Sequence, residues 1–235
     1  MRTFSIAGVA YQLCSFSTFC VLSVNVFGVQ DAPKKPERLT ANAVYGTPKI
    51  DGEIDDAWKN ATAVEVKRIV KSETSVADAE VATGTVKLLW DKDNLYALWQ
   101  VKDSKLSAKS DNPYEQDSIE FFVDELNERA GVYQKDDAQY RVSYEGKISG
   151  AGEGFKEENI KAVAKKIDGG YLIEMSAKLS FAKREGGTKM GLELQINDDP
   201  NTGARAGVTK WNHTENDSYQ STSDFGTVLL LAKSE

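Results

Sequence analysis

Apolar and polar side chains alternate in short runs from Ala43 to the C-terminus, and turn-forming residues separate these runs. The run 118–124 is the clearest, because Ile119, Phe121 and Val123 alternate with positions that include two carboxylates. Further strands are predicted at 85–90, 95–101, 138–144, 160–167, 171–179, 191–197 and 225–231, and helical turns only near 55–60 and 181–184. Short strands with frequent turns and no long helical period predict an all-β domain, either a sandwich or a barrel.

The composition fits one soluble domain and excludes two broad classes of partner. The chain has 235 residues, is 40% hydrophobic and 28% charged, and carries a net charge of −7. This length and apolar content predict one domain with a sizeable core. The acidic balance, with no basic run interleaved with aromatic residues, argues against nucleic acids and against anionic membrane surfaces.

The N-terminal segment, residues 1–28, has the composition of a secretory signal peptide. It contains one basic residue, no acidic residue, and a run rich in Val, Leu, Phe and Ser. An uncleaved membrane anchor is the alternative, although polar residues interrupt the run. Both cysteines, Cys14 and Cys20, lie in this segment, so the secreted form is expected to lack disulfides and thiol nucleophiles. Residues 29–42 are predicted to be an extended linker before a single domain over 43–235.

The loop and strand from Asn112 to Asp124 place an aromatic ring next to a carboxylate. Pro113 marks a turn, Tyr114 lies in the loop among polar neighbours, and Glu120 lies on the more polar face of the strand. An exposed ring can stack on the C–H face of a sugar, and a carboxylate can accept hydrogen bonds from sugar hydroxyl groups. This pair indicates a sugar site; the alternative is that Tyr114 packs over the edge of the fold and Glu120 is a solvated strand residue.

Other polar motifs offer weaker candidates for a metal ion or a catalytic centre. The acidic run Asp51–Trp58 is predicted to be a turn and helix cap rather than a calcium site, since its spacing is not that of an EF-hand loop. The loop 197–203 fits a calcium site and an Asx-rich turn equally well. His213 is the only histidine. Nothing marks a nucleophile elbow that it could serve, and zinc is disfavoured with one histidine and no cysteine in the predicted domain.

Six sequence blocks, in order along the chain, carry a resemblance to a known family. They are 50–58 (IDGEIDDAW), 89–96 (LWDKDNLY), 112–120 (NPYEQDSIE), 137–141 (DAQYR), 195–198 (QIND) and 216–226 (NDSYQSTSDFG). Together they resemble the family 9 carbohydrate-binding modules, which are non-catalytic appendages of bacterial xylanases, over essentially the whole predicted domain. The resemblance implies a two-sheet antiparallel β-sandwich of the jelly-roll kind, bound structural calcium, and binding of β-glucan and xylan chains, in some members at their reducing ends.

By motif position the resemblance assigns a sugar site to five residues. Two aromatic rings, Tyr114 and Tyr219, are expected to clamp the sugar, and the polar contacts are expected from Glu120, Arg141 and Asn216. The better-known members have tryptophan at both ring positions, so the smaller tyrosine faces imply weaker stacking or a different sugar. The implied ligands are xylan, cellulose and cello- and xylo-oligosaccharides, and the implied partners are glycoside hydrolases that act on the same polysaccharides.

Two alternatives from other functional classes stay open beside a secreted, non-catalytic module that supports carbohydrate breakdown. A glycoside hydrolase would need two carboxylates flanking one bond. The candidates for that pair are Glu115, Glu120 and Glu174. A haem-binding extracellular sandwich would need axial ligands to the iron. The candidates for those ligands are His213, Met175 and Met190.

Overall fold

The structure is a computed structural model that describes residues 37–233, and these residues form thirteen β-strands joined by loops and short 3₁₀ helices. The strands are β1 (Thr40–Tyr45), β2 (Val64–Val66), β3 (Arg68–Ile69), β4 (Thr83–Trp90), β5 (Asn94–Lys102), β6 (Ser118–Asp124), β7 (Asp137–Ser143), β8 (Ile148–Ala151), β9 (Ile160–Ile167), β10 (Gly170–Lys178), β11 (Lys189–Asp198), β12 (Gly207–Lys210) and β13 (Gly226–Leu230). The 3₁₀ helices are Asp56–Asn60, Lys71–Glu73, Asp78–Glu80, Pro113–Glu115 and Glu157–Asn159. No helix in this part of the chain is long and apolar enough to cross a membrane.

The strands form two sheets that share strand β1. The first sheet has the order β8-β7-β6-β11-β13-β1, with β12 paired to β11 and β3 to β12. The second has the order β1-β4-β5-β10-β9, with β2 paired to β4. Residues Thr40–Ala43 of β1 pair with β13 and Val44–Tyr45 pair with β4, in both cases parallel. The other strand pairs within residues 37–233 are antiparallel, so the predicted two-sheet antiparallel sandwich is confirmed, with β1 as a parallel exception.

The core lies between the two sheets and is built from the apolar faces of their strands. Ile119 and Phe121 of β6 are fully buried there, as are Trp99 of β5 and the β10 residues Tyr171 and Ile173. Burying a side chain of this size contributes about 1.5–3 kcal/mol before the loss of conformational entropy is counted. The alternation that places these residues in one layer is the same alternation that predicts the strands.

A smaller apolar cluster lies on the outer face of the second sheet and is covered by Trp58, from the 3₁₀ helix Asp56–Asn60. The indole Nε1 of Trp58 donates to Glu174 Oε1 at 3.0 Å, so the ring is fixed by a polar contact as well as by packing. Asp55 caps the helix by accepting a backbone N–H of its first turn. The turn and helix cap predicted for Asp51–Trp58 are therefore confirmed.

The folded domain begins earlier than the sequence predicts. β1 starts at Thr40, and the backbone N–H of Leu39 donates to Asn212 Oδ1 at 2.7 Å. The predicted linker, residues 29–42, is thus too long at its C-terminal end, because its last residues are needed to pair with β13. The predicted signal peptide, residues 1–28, lies outside the described residues and stays a prediction.

The helical turn predicted for 181–184 is absent. The backbone there bends around the carboxylate of Glu125, which accepts the N–H groups of residues 180–182 at 2.7–2.9 Å. Glu125 is largely buried, and burial raises its pKa while these three N–H groups lower it. A carboxylate from a distant part of the chain therefore sets the conformation of this segment, and local propensity does not.

Candidate functional site

The outward face of the first sheet carries a row of polar side chains that crosses five strands. The register pairs Ser149 of β8 with Arg141 of β7, Arg141 with Glu120 of β6, Glu120 with Gln195 of β11, and Gln195 with Lys210 of β12. Because side chains along a strand alternate between faces, these residues point away from the core that their neighbours fill. We call this row the polar floor.

Glu120 lies at the centre of the polar floor and is held by three side chains. Its Oε1 accepts from Arg141 Nε at 2.7 Å and from Asn197 Nδ2 at 2.8 Å, and its Oε2 accepts from Gln139 Nε2 at 2.7 Å. The Glu120 side chain is only 3% exposed, so its charge is stabilised by these donors rather than by water. The alternative of a solvated strand residue is wrong for Glu120, and its predicted contact with Arg141 across the sheet is confirmed.

Three loops rise over the polar floor and enclose a cavity of about 360 Å³, which we call the clamp pocket. Tyr114 comes from the 3₁₀ helix Pro113–Glu115, Arg205 from the loop between β11 and β12, and Asn216 and Tyr219 from the loop between β12 and β13. The lining residues are Tyr114, Glu120, Phe122, Gln139, Arg141, Gln195, Arg205, Asn216 and Tyr219. The structure therefore brings together all five residues that the sequence assigns to a sugar site.

Both tyrosine rings of the clamp pocket are half exposed. Tyr114 keeps 45% of its surface accessible and Tyr219 keeps 49%, so neither ring is committed to the core. The guanidinium carbons of Arg141 and Arg205 each lie 6.0 Å from the centre of the Tyr114 ring. Rings in this state can stack on the apolar face of a ligand, while the guanidinium groups beside them offer N–H donors in fixed directions.

Arg141 keeps an N–H donor that no other residue of the described segment accepts. Its Nε is bound to Glu120, and its Nη1 lies 3.3 Å from Ser149 Oγ. Its Nη2 makes no hydrogen bond to another residue of the segment 37–233. A buried carboxylate and a guanidinium with a spare N–H together can bind adjacent hydroxyl groups, one as a donor and one as an acceptor.

Sequence reasoning missed several lining residues of the clamp pocket. Some of them had a signal in the sequence that could have identified them, and others had none. Gln195 is the register partner of Glu120, and Gln139 lies two residues from Arg141 on the same face of β7. Alternation and pairing were therefore a usable signal for both. Arg205 had no such signal, since it lies in a loop. The structure fixes it through Glu73, whose Oε2 accepts from Arg205 Nη2 at 2.7 Å, and Asn197, whose Oδ1 accepts from Nη1 at 3.2 Å.

The structure separates the carboxylates proposed for a hydrolase. Glu174 lies on β10 of the second sheet and is bonded to Trp58, and Glu115 accepts from Ser110 Oγ at 2.7 Å. Neither Glu174 nor Glu115 lines the clamp pocket, where Glu120 is the one carboxylate among the lining residues.

The residues proposed as haem ligands are also apart. Met175 and Met190 are fully buried in the core between the sheets. His213 lies in the loop after β12, with Nε2 2.8 Å from Asp217 Oδ1.

Two clusters of buried aspartates have the character of divalent-cation sites. In the first, at the start of β7 and the end of β6, carboxylate oxygens of Asp124, Asp136 and Asp137 lie within 4.8 Å of one another, and each residue is at most 2% exposed. Asp136 Oδ1 and Asn127 Oδ1 are buried there without a hydrogen-bond partner. Burial, together with the negative charges of Asp124 and Asp136, raises the pKa of Asp137 to about 7. Closely spaced oxygen ligands of this kind are those that calcium prefers.

The second cluster joins Asp103, Asp117 and Asp198, from three separate segments. Asp103 Oδ2 is buried without a partner. Burial, together with the negative charge of neighbouring aspartates, raises the pKa of Asp117 to about 8 and that of Asp198 to about 6. Uncompensated carboxylates this close destabilise one another, and a bound divalent cation would remove that repulsion.

The loop 197–203 contributes to this cluster and also forms the predicted turn. Asp199 Oδ1 accepts from Thr202 N at 2.7 Å and its Oδ2 accepts from Gly203 N at 3.0 Å, which is an Asx-type turn. The preceding residue, Asp198, joins the second aspartate cluster. The Asx-rich turn predicted for this loop is therefore confirmed, and the calcium site stays a prediction.

Comparison with known proteins places the chain in a family. A family model described as carbohydrate family 9 binding domain-like matches residues 50–233. The chain belongs to carbohydrate-binding module family 9. The resemblance found in the six sequence blocks is thereby confirmed.

The curated relatives of this family 9 module are much longer proteins. It is 40% identical over 193 residues to an endo-1,4-β-xylanase A of Thermotoga neapolitana, and 39% identical over 199 residues to exoglucanase XynX of Acetivibrio thermocellus. These matches cover 82% and 85% of the chain but only 18% of each relative. The chain thus spans less than a fifth of the length of the curated relatives it matches.

Solved structures of the same family share its fold. A family 9 module from Caldicellulosiruptor kristjanssonii in complex with cellotriose is 31% identical, with a TM-score of 0.76 over 84% of this chain and 96% of that one. The same family is represented by a complex with glucose, at 30% identity and the same TM-score, covering 84% of this chain and 98% of that one. These matches confirm the predicted β-sandwich.

Proposed function

We propose that this family 9 module is a secreted, non-catalytic domain that binds β-linked glucans and xylans and supports their breakdown by glycoside hydrolases. Tyr114 and Tyr219 clamp one sugar residue, and Glu120, Arg141 and Asn216 bind its hydroxyl groups. Related modules in complex with cellotriose and glucose, and relatives named as a xylanase and an exoglucanase, support cello- and xylo-oligosaccharides as the ligands. The signal-like segment 1–28 supports action outside the cell.

The observation that carries the proposal is the geometry of the clamp pocket. Two half-exposed rings from loops far apart in the chain stand over a buried ion pair with spare hydrogen-bonding capacity. A sugar needs both features, since its C–H faces stack on aromatic rings and its equatorial hydroxyl groups require paired donors and acceptors. The absence of disulfide-forming cysteines from the described residues leaves these loops to be ordered by hydrogen bonds and by the aspartate clusters.

The test is a calorimetric titration of glucose, cellobiose and xylobiose into the parent domain and into Tyr114→Ala and Tyr219→Ala. Removing a ring that stacks on a ligand costs about 1–3 kcal/mol by analogy with bases stacked on aromatic side chains. Each variant should therefore bind about tenfold or more weakly. The melting temperature should change little, because neither ring packs in the core.

A matched control is Phe181→Ala, since Phe181 is 39% exposed but lies in the loop that bends around Glu125, away from the clamp pocket. This variant should bind sugar as the parent does. Parent-like binding by both tyrosine variants would contradict the clamp and move the search for the site elsewhere on the sheet.

Calcium is the second part of the proposal. Both aspartate clusters fit calcium because they offer closely spaced carboxylate oxygens. Some of these oxygens, such as Asp136 Oδ1 and Asp103 Oδ2, are buried without a hydrogen-bond partner. A bound ion supplies positive charge that holds these carboxylates ionised. The ion in the first cluster would hold the loop after β6, where Ala130 accepts from Thr222 N at 3.2 Å and so supports the loop that carries Tyr219.

A further inference from the structure

A second concave region, which we call the lateral groove, lies beside the clamp pocket on the same face of the first sheet. It has a volume of about 520 Å³ and runs between the loop 108–116 and the hairpin of β7 and β8. Arg141 lines both cavities, so they share one wall. The other four residues assigned to the sugar site line the clamp pocket and not the lateral groove.

The base of the lateral groove is the β8 end of the polar floor. Ser149 is the register partner of Arg141, just as Arg141 is the partner of Glu120. Neighbouring strands are about 4.8 Å apart, so Ser149 lies two strand spacings, or about 10 Å, from Glu120. A glycan with one residue over Glu120 can therefore place its next residue between Arg141 and Ser149 without leaving the face of the sheet.

The walls of the lateral groove combine apolar surface with hydroxyl groups. Pro113 and Ile148 supply the apolar part, and Ser143 and Ser149 supply the hydroxyls. Ser143 Oγ accepts from the backbone N–H of Lys147 at 3.2 Å, which leaves its own proton available to a ligand. The clamp pocket also combines apolar and polar side chains, but its apolar side chains are larger.

The lateral groove is lined by more basic than acidic side chains, whereas the protein as a whole is acidic. Lys109, Arg141 and Lys147 line it beside one acidic residue, Asp111, although the whole chain carries a net charge of −7. The charge of Arg141 is offset by its ion pair with Glu120, so the two lysines are the cations that face a ligand. Lys109 Nζ donates to the backbone carbonyl of Asn201 at 3.0 Å and has no carboxylate partner within residues 37–233. Lys147 is paired with a neighbouring glutamate at 3.1 Å, but both side chains of that pair are well exposed. An anionic ligand group is therefore attracted to this groove, although the net charge of the protein is negative.

We infer that the lateral groove is a second sugar subsite that takes a uronic acid residue of a glycan whose neighbouring residue occupies the clamp pocket. The carboxylate lies against Lys109 and Lys147, and the ring lies between Arg141 and Ser149. The inference rests on the proposed function, because the clamp pocket must hold the neighbouring sugar. It adds a preference for acidic glycans that the clamp alone does not provide.

The test compares neutral and acidic ligands with the same backbone. Xylotriose is paired with xylotriose carrying one glucuronic acid branch, and cellobiose is paired with a disaccharide in which its non-reducing residue is glucuronic acid. Calorimetry at low ionic strength should show an acidic ligand binding about threefold to tenfold more tightly than its neutral partner, as expected for one or two exposed ion pairs. This advantage should shrink in about 0.5 M salt, where charges are screened within a few ångströms.

The double variant Lys109→Met/Lys147→Met should lose the acidic advantage and keep the parent affinity for the neutral ligands. The matched control is Lys183→Met/Lys189→Met, which makes the same change in net charge on another face and should keep the advantage. The inference is overturned if neither acidic ligand binds more tightly than its neutral partner, or if the advantage survives in the Lys109/Lys147 variant. If the parent binds no neutral sugar, the proposed function fails first and the groove proposal falls with it.

Discussion

Lys210 should control sugar affinity without touching the sugar, and its replacement by methionine tests this. The side chain is fully buried at the β12 end of the polar floor. Its Nζ donates to the backbone carbonyl of Glu215 at 2.6 Å and to Ser218 Oγ at 2.7 Å. These two acceptors flank Asn216 and precede Tyr219, so one buried cation fixes the loop that carries two residues of the clamp pocket.

A second buried charge holds the start of the same loop. The carboxylate of Glu193 accepts from Asn212 N at 2.9 Å and from His213 N at 2.8 Å. Burial raises the pKa of Glu193 and lowers the pKa of Lys210, and the attraction between the two charges opposes both shifts. Losing either charge therefore leaves the other buried with less compensation.

Methionine at position 210 keeps the length and apolar contacts of the lysine but removes both hydrogen bonds. A hydrogen bond to a charged group contributes about 1.5–3 kcal/mol, so the ordered loop should lose about 3–6 kcal/mol with both bonds. Only the ordered fraction of the loop binds sugar, and the apparent Kd rises as that fraction falls. Since about 1.4 kcal/mol corresponds to a tenfold change, and part of the loss is shared with global stability, the Kd for cellobiose should rise about tenfold to a hundredfold.

The assay is a calorimetric titration of Lys210→Met with cellobiose, together with its melting temperature and the hydrogen exchange of residues 212–222. The matched control is Lys87→Met, because Lys87 Nζ donates to the Trp58 carbonyl at 3.0 Å on the second sheet, far from the clamp pocket. The control should lose stability and keep its affinity. If Lys210→Met melts earlier but binds cellobiose as tightly as the parent, the lysine only fills space and the reasoning is refuted.

Two further predictions concern metal ions and catalysis. Burial raises the pKa of Asp137 to about 7, so without a cation the folded protein holds a proton that the unfolded chain releases, and its stability falls as the pH rises from about 4 to 7. Calcium at about a hundred times its Kd should raise the melting temperature by roughly 5–10 °C near pH 8 and by less near pH 5. The rise should be smaller in the Asp136→Asn variant. If a chelator leaves the melting temperature unchanged at both pH values, this prediction is wrong. The domain should release no reducing sugar from xylan or cellulose, because Glu120 is the one carboxylate that lines the clamp pocket and hydrolysis needs two. Steady release that Glu120→Gln abolishes would instead identify a hydrolase.

The strands could be predicted because the signal for a strand is local. The bounds of β6, Ser118–Asp124, agree with the predicted run, since every second residue faces the core and the period is visible in seven residues. The contact between Glu120 and Arg141 also followed from local patterns, once both residues were placed on polar faces of strands that pair. Alternation could not predict that residues on the outer face of the first sheet are buried, because loops from elsewhere in the chain cover that face.

The loop 197–203 was a calcium candidate and does contribute Asp198 to a cluster, but the other members of the aspartate clusters and the role of Arg205 lay beyond this reasoning, because distant segments bring them together. Asp103, Asp117 and Asp198 are separated by loops and strands, and only the closed fold brings their oxygens within 4.8 Å. The sequence pointed instead to runs of neighbouring acids, and those at Asp51–Trp58 serve as a turn and cap. The spacing of residues along the chain can identify a site within one loop, whereas a site formed by several loops can be identified only when the topology of the fold is known.

Some residues of the clamp pocket lie on strands and others on loops, and this difference indicates which of them can be replaced to change the ligand. Glu120 is tied to three side chains on neighbouring strands, so a substitution there disturbs hydrogen bonds inside the sheet as well as the ligand. Tyr114 and Tyr219 are half exposed on loops, so their rings can be enlarged or removed with little effect on the core. The lysines of the lateral groove have the same freedom. In the proposed sugar site, two of the three residues that bind hydroxyl groups, Glu120 and Arg141, are therefore fixed by the sheet. The size of the stacking face and the proposed preference for charge are set by loop and hairpin residues that the sheet constrains less.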